Sequence, residues 1–483
     1  MARVGGGLRR IGGVVLAAAA IGLGVGIWQG GVVSGGGGGP GASWYISTSG
    51  SDVNPGTTGS PFLTMDKCYQ VAAKGDTCFL KTGTYGDQDI LNSHAKTVSG
   101  SHCWWGGPFL TGSASAGSST EAQDLTGCVQ FTPAPSASVT INNMNIDAPY
   151  VYLNGLTLGT GLHNGTNGVL TMTNLSCTTV NNYTDTIIRG GTGEAFYLKG
   201  IQHFYMISDT WNMQWTGANA SKNQITDCNS GQTDNVNDHL MFDGNLIENV
   251  YWTQAGQHLE AIQFEEGDHV TIQNSRFLND AQDDWTNPWG TSNQAHGGSY
   301  WLIQNNVLDS TCSHQQFSGG GGCNSDGNGT ATNGNHVFNH GVNGSSQVQQ
   351  HWLIRFNSMP ESNSTVADYP QVIDSAGTLS DIYLIGNIMG SPGGNCSSQT
   401  TDVGVVWDYN VLQGAACGTN SSASSPDQYT NFTTYTYTLV NCSAVAANKV
   451  PSSVVGGFPA TDINGAARPA GTNADAGAYE ACS

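Results

Sequence analysis

The chain has 483 residues, enough for one long solenoid or two to three ordinary domains. Gly supplies 67 residues, while charged residues make up only 10%, with 14 basic against 35 acidic side chains. A net charge of −21 argues against nucleic acid as a partner, and it repels anionic polysaccharides unless a cation such as Ca²⁺ bridges them. Abundant turn residues and few Leu- and Ala-rich helical stretches suit an all-β coil.

Residues 1–43 read as an export segment plus a Gly-rich linker. Arg3, Arg9 and Arg10 precede an apolar run over 11–28, and a Gly-rich stretch follows over 30–41. The run approaches membrane-spanning length and ends without a convincing small-x-small site. Two readings therefore stand: a cleaved signal peptide, or an uncleaved anchor with a flexible tether, the only membrane link expected. Either reading makes the protein secreted or cell-surface. Twelve cysteines fit an oxidised, exported chain. The simplest pairing joins sequence neighbours: Cys68–Cys78, Cys103–Cys128, Cys312–Cys323, Cys396–Cys417 and Cys442–Cys482, leaving Cys177 with Cys228. Sequence alone does not fix connectivity. No Cys/His spacing matches a zinc site.

Residues 44–85 carry the pattern SGSDVNPGT, then SPF, a short apolar-patterned stretch, GDT and GTY. This resembles the opening of secreted right-handed parallel β-helix proteins of the pectate-lyase-like superfamily. The resemblance implies a short helix over 65–73 that caps the first coil, because bare terminal strand edges recruit other chains. Lys74-Gly75-Asp76 then turns the chain into the strand 77–81.

A strand-like phrase recurs beyond the cap: HLMFDGNLIENV from His239, HVTIQNSRFLND from His269, SYWLIQNNVLDS from Ser299, QHWLIRFNSMPE from Gln350 and DIYLIGNIMGS from Asp381. Aligned on Phe242, Ile272, Ile303, Ile354 and Leu384, it repeats every 30, 31, 51 and 30 residues. Such a period means a solenoid, and the alternating apolar pattern makes its coils β. Weaker copies begin at 151, 203 and 405. A β-sandwich is disfavoured because hairpin turns such as Asn-Gly are sparse between adjacent strands. Three residues past each anchor stand Asn245, Ser275, Asn306, Asn357 and Asn387. Inward Asn in successive coils can form a hydrogen-bonded ladder, and Asn also tolerates a left-handed bend. One residue past the anchor stand Asp243, Gln273, Gln304 and Arg355, an outward polar column suited to following a sugar chain.

The stretch 249–299 is the richest in chemistry. It holds seven carboxylates, among them Glu260, Asp280, Asp283 and Asp284, the imidazoles of His258, His269 and His296, and the rings of Trp252, Trp285 and Trp289. Trp stacks on sugar rings while polar groups such as Gln263 bind hydroxyls. His258-Leu259-Glu260-Ala261-Ile262-Gln263 resembles the H-x-D-x-I-Q phrase of secreted β-helix proteins, with Glu260 in place of Asp. Two mechanisms compete. A lyase needs a base for the proton α to a uronate carboxylate; the resemblance implies Arg or Lys beside Ca²⁺, and Arg276 is the candidate. His258 or His296 is a better base near neutral pH. A glycosidase needs two flanking carboxylates. Asp280, Asp283, Asp284 and His296 stand in the order of polygalacturonase motifs, but that family's remaining phrases are missing.

Asn324, Asp326 and Asn328 have the alternate spacing of a Ca²⁺ loop but lack its closing Glu. They lie in an excursion that accounts for the 51-residue step. Residues 421–440 offer no chemistry. Residues 458–480 carry Asp462, Gly465, Arg468, Pro469, Asp475, Gly477, Ala478, Tyr479 and Glu480 in a pattern resembling the closing segment of choice-of-anchor bacterial surface proteins.

The expectation is therefore an all-β, single-stranded right-handed parallel β-helix (β-solenoid) of roughly ten coils over 44–483. The N-terminal cap is 44–85 and the closing segment 441–483. Two functions stay open: an extracellular polysaccharide lyase or glycoside hydrolase, and a non-catalytic adhesion module. No cofactor is required apart from the Ca²⁺ option, and the oligomeric state is not readable.

Overall fold

The computed structural model describes residues 41–97, 100–159, 168–173, 184–214, 224–226, 237–251, 261–264, 267–278, 298–308, 348–359, 378–389, 404–413, 416–424, 429–430, 438–439, 444–469 and 472–480. Residues 1–40 and the excursion holding Asn324, Asp326 and Asn328 lie outside them. Among the described residues no helix is long and apolar enough to cross a membrane.

The protein is a parallel β-helix, the fold implied by the resemblance at its two ends. Twelve parallel strands stack into one long sheet, from Ser43–Ile46 to Val405–Asp408. A second sheet begins at Gly83–Tyr85 and a third at Gln88–Ile90, each gaining strands in step with the first. The coils up to Gln263–Phe264 thus visit the three sheets in turn. The anchors fall in register: Phe242 pairs with Ile272, Ile272 with Ile303, Ile303 with Ile354 and Ile354 with Leu384. The weaker copies are coils too, with Met206 opposite Phe242 and Trp407 opposite Leu384. All these anchors are buried in one continuous core. Trp301 and Trp352 stack inside it at 5.0 Å, and their indole N–H groups donate to the carbonyls of Gly267 and Gly298. A buried indole needs such a partner, or its N–H is desolvated without compensation.

The polar ladder runs along the bend after the long sheet. The backbone N–H of Ser275 donates to Asn306 Oδ1, that of Asn306 to Asn357 Oδ1, that of Asn357 to Asn387 Oδ1 and that of Asn387 to Asn410 Oδ1, all at 2.9–3.0 Å. Each Asn amide also donates backwards, as Asn357 Nδ2 does to the Ile303 carbonyl. One side chain thereby satisfies two backbone groups that the bend would leave bare. The left-handed residue is not the ladder Asn. It is the residue before it: Gly244, Asn274, Asn305, Phe356 and Gly386 all have φ between 52° and 69°.

The cap follows the expected plan. Helix Met65–Val71 starts at Thr64, whose hydroxyl accepts from the Lys67 N–H. Asp52 accepts from the Leu63 and Thr64 N–H groups and holds the loop to that helix. Asp76 accepts from Ala42, Trp44 and Ala73. Disulfides Cys68–Cys78 and Cys103–Cys128 are formed as the neighbour rule expects. Cys417 is disulfide-bonded to a residue outside the described ones.

Two other segments of the chain cover much of the outer face of the long sheet. The segment 100–128 lies across its earlier coils, where Phe109 packs with Tyr152, Ile187, Tyr205 and Met241. The closing segment covers later coils, where Ala474, Ala476, Ala478 and Tyr479 pack with Val307, Ile388 and Val411 of the second sheet. Gly477, at φ 89°, lies so close that a Cβ there would sit 2.8 Å from Ile388 and Ser358.

Candidate functional site

The most organised group of titratable side chains lies at the entry to the long sheet. Three residues before each anchor, the chain places Asp185, His203, His239, His269, Tyr300, His351 and Asp381. All seven adopt φ between 48° and 74°. Left-handed Asp and His are tolerated better than other bulky residues, and repeating the conformation in every coil aligns their side chains. Trp104 of the covering segment stacks on His203 at 4.4 Å, His203 on His239 at 4.6 Å, His239 on His269 at 4.5 Å, His269 on Tyr300 at 4.6 Å and Tyr300 on His351 at 4.8 Å. These separations follow the ~4.8 Å spacing of neighbouring strands.

Carboxylates edge the column. Asp238 Oδ1 lies 2.8 Å from His269 Nδ1, and its Oδ2 lies 3.0 Å from His239 Nδ1. Asp381 Oδ2 lies 2.6 Å from His351 Nδ1 and also accepts from the Ala114 N–H. Asp185 accepts from Trp104 Nε1 and from the Cys103 N–H. Glu121 accepts from the Tyr205 hydroxyl at 2.5 Å and lies 3.8 Å from His203 Nε2. The two terminal Asp residues of the column therefore pin the covering segment at both ends.

The electrostatics differ from ring to ring. Burial, reinforced by the neighbouring His239, pushes the His203 imidazole down to about 3. Burial also opposes charge on His239, yet Asp238 and Glu121 outweigh it and raise that imidazole. Burial alone would raise Asp238, but His239 and His269 hold its carboxyl well below the usual range. Chemically, the arrangement offers imidazoles that hold protons against carboxylates, or nitrogen and oxygen donors for a metal ion.

The sequence-predicted site residues scatter. His258, Glu260, Asp280, Asp283, Asp284, His296, Trp252, Trp285 and Trp289 lie outside the described residues. Ile262 and Phe264, which flank Gln263, are buried in the core, and Gln263 itself occupies the register position after Gln224 on the third sheet. Arg276 lies on the second sheet, where its guanidinium donates to Asn464 Oδ1 at 2.8 Å. The closing segment thus engages it.

The polar column next to the anchors departs from the expected open face. Gln273, Gln304 and Arg355 lie outside the coil as read, but they are 7%, 5% and 3% exposed. They bond to one another: Gln273 donates to Asp243, Gln304 to Gln273 and Arg355 Nε to Gln304. Arg355 then reaches the closing segment. As folded, this column meets protein and not a sugar chain, because 444–480 folds back over it. The histidine column escaped sequence reading, although aligning the repeats on their anchors puts His, Tyr or Asp at one position of successive coils.

No family model and no curated protein matches this chain. Among solved structures it is similar to pectate lyase Pel9A, at 11% identity over 92% of this chain and 97% of that one, with a TM-score of 0.35. It is similar to XylC, solved in complex with xylose, at 9% identity over 90% and 98%, with a TM-score of 0.33. It is also similar to a GH136 lacto-N-biosidase from Eubacterium ramulus, at 10% identity over 80% and 67%, with a TM-score of 0.29. Likeness at this distance transfers no residue's role.

Proposed function

We propose that this is an exported β-helix protein that binds an extracellular polysaccharide along the third sheet and acts on it. The observation that carries the reading is a polar register column on that sheet. Asp89, Asn145, Thr171 and Tyr197 follow one another in adjacent strands, and Gln224 and Gln263 hold the next two positions. Asp89 is exposed, and Asn145, Thr171 and Tyr197 are half-buried. Hydroxyl, amide and one aromatic ring repeated at strand spacing suit a glycan that lies along the solenoid. The disulfides favour an oxidising, extracellular setting. The net charge favours a neutral glycan, or an acidic one with Ca²⁺ as bridge.

A second reading, a non-catalytic adhesion module, gains support from the engagement of Arg276 and Arg355 by the closing segment, which leaves few free cations for uronate chemistry. A panel digest separates the two. The purified protein is incubated with neutral and uronic-acid polysaccharides, with and without Ca²⁺, beside Glu260→Gln and His258→Ala. New reducing ends with an ultraviolet-absorbing unsaturated product identify a lyase; new ends alone identify a hydrolase. Binding without product on any glycan moves the protein to adhesion. Absence of both overturns the proposal.

A further inference from the structure

One point of the histidine column brings metal-ligand atoms together. Asp238, His239 and His269 each offer one donor atom, and the three lie within 4.8 Å of one another. The contact to His269 is an ordinary hydrogen bond. The contact to His239 is close in distance but wrong in direction: His239 Nδ1 is buried, lies 3.0 Å from Asp238 Oδ2 and makes no hydrogen bond. The nitrogen thus faces a carboxylate at ion-pair distance without hydrogen-bond geometry.

We propose that Asp238, His239 and His269 form a binding site for a divalent ion of the zinc class. Two imidazoles and one carboxylate are a donor set for a borderline-soft first-row ion, whereas Ca²⁺ takes oxygen ligands. Tetrahedral ligands at about 2.0–2.1 Å from zinc stand about 3.3 Å from one another, so Asp238, now 2.8 and 3.0 Å from the two Nδ1 atoms, gives way by a few tenths of an ångström to admit the ion. The His239 and His269 rings are stacked at 4.5 Å with 18° between their planes, so their ring planes do not yet meet at one point. Binding turns the His239 ring, which breaks no Nδ1 hydrogen bond in doing so. The ion takes the place of the proton between Asp238 and His269, and the neutral His269 ring carries its proton on Nε2 instead. Three protein ligands leave a fourth position for water. The ligands come from adjacent strands, Asp238–Asp243 and Asp268–Gln273, so the ion clamps two coils together. This site stands independently of the polysaccharide reading.

The test titrates chelator-treated full-length protein with ZnCl₂ by calorimetry, with melting followed in parallel. The expected result is one zinc ion per chain and a higher melting temperature. Asp238→Asn and His239→Gln weaken binding by at least about tenfold. His351→Gln, in the same column but outside the cluster, leaves it unchanged. His239→Gln removes no Nδ1 hydrogen bond, so it decides the matter if Asp238→Asn fails to fold. No zinc uptake by the metal-free protein, or uptake that His239→Gln leaves intact, overturns the site.

Discussion

Arg355 donates from Nη1 to the carbonyl of Gly456 at 2.5 Å, which joins the tenth strand of the long sheet to the closing segment. A second bond from the same nitrogen reaches the Gly457 carbonyl at 2.8 Å. The guanidinium is buried and its pKa is pushed down to about 10, mainly by burial, so it remains charged near neutral pH. The side chain therefore fastens the closing segment over the outer polar column.

Replacing it tests that fastening. Arg355→Met strands the two glycine carbonyls and Gln304 Oε1 at once. Hydrogen bonds to charged groups contribute about 1.5–3 kcal/mol each, and the two partly buried glycine carbonyls regain bonds to water, so a net loss of roughly 2–4 kcal/mol is expected. Hydrogen exchange will read it as faster exchange in residues 446–478, with protection at 268–273 retained. Arg355→Lys will not restore the wild type, because a single ammonium cannot replace the planar fork.

The ladder gives a graded series. Asn357→Ala leaves the Asn306 N–H buried and unpaired and removes the amide bond to the Ile303 carbonyl. At about 1–3 kcal/mol for the stranded N–H and about 1 kcal/mol for the lost amide bond, the cost is roughly 2–4 kcal/mol in denaturant unfolding. Asn357→Ser costs less, because Ser275 already fills a rung: its hydroxyl accepts the Asn245 N–H.

Asp209 provides the pH dependence. It continues the ladder, with Oδ1 accepting from the Gly191 N–H and Oδ2 left without a partner. Burial pushes its carboxyl up to about 8. Between about pH 4 and 8 the unfolded chain has lost this proton while the folded one keeps it, so stability falls as pH rises, by at most ~1.4 kcal/mol per pH unit. Below about pH 4 both states are protonated and the effect vanishes. Asp209→Asn is expected to remove this contribution and to melt higher than wild type at pH 8, with the difference shrinking towards pH 4. A melting series across that range checks the sign.

The disulfide Cys103–Cys128 closes a 25-residue separation in the segment that covers the long sheet. Replacing both cysteines by Ser should cost about 3 kcal/mol by the chain-entropy relation. Limited proteolysis will report faster cleavage within 104–127, because without the crosslink only noncovalent contacts, such as Phe109 on Tyr205 and Met241, hold that segment down.

The coil was legible because its cause is local. Each anchor must face inward, and period-2 alternation with a fixed step exposes such positions in a linear string. The ladder was legible for the same reason, since Asn recurs at one offset from the anchor. The assignment of the left-handed bend to the ladder Asn was one residue off: residues such as Asn274 and Asn305 bear it, and a string of polar residues does not say which one bends.

The sequence by itself determined the solenoid and its register from Phe242 to Leu384, and the resemblance and the neighbour rule anticipated the cap and the disulfides Cys68–Cys78 and Cys103–Cys128. These follow from interactions between near neighbours or between equivalent positions of adjacent coils. Only the tertiary structure decided which outer faces are open. Folding 100–128 and 444–480 back over the long sheet buries Gln273, Gln304 and Arg355, and brings Trp104 and Glu121 to the histidine column. Those contacts join residues about a hundred positions apart, and no periodicity in the chain encodes them.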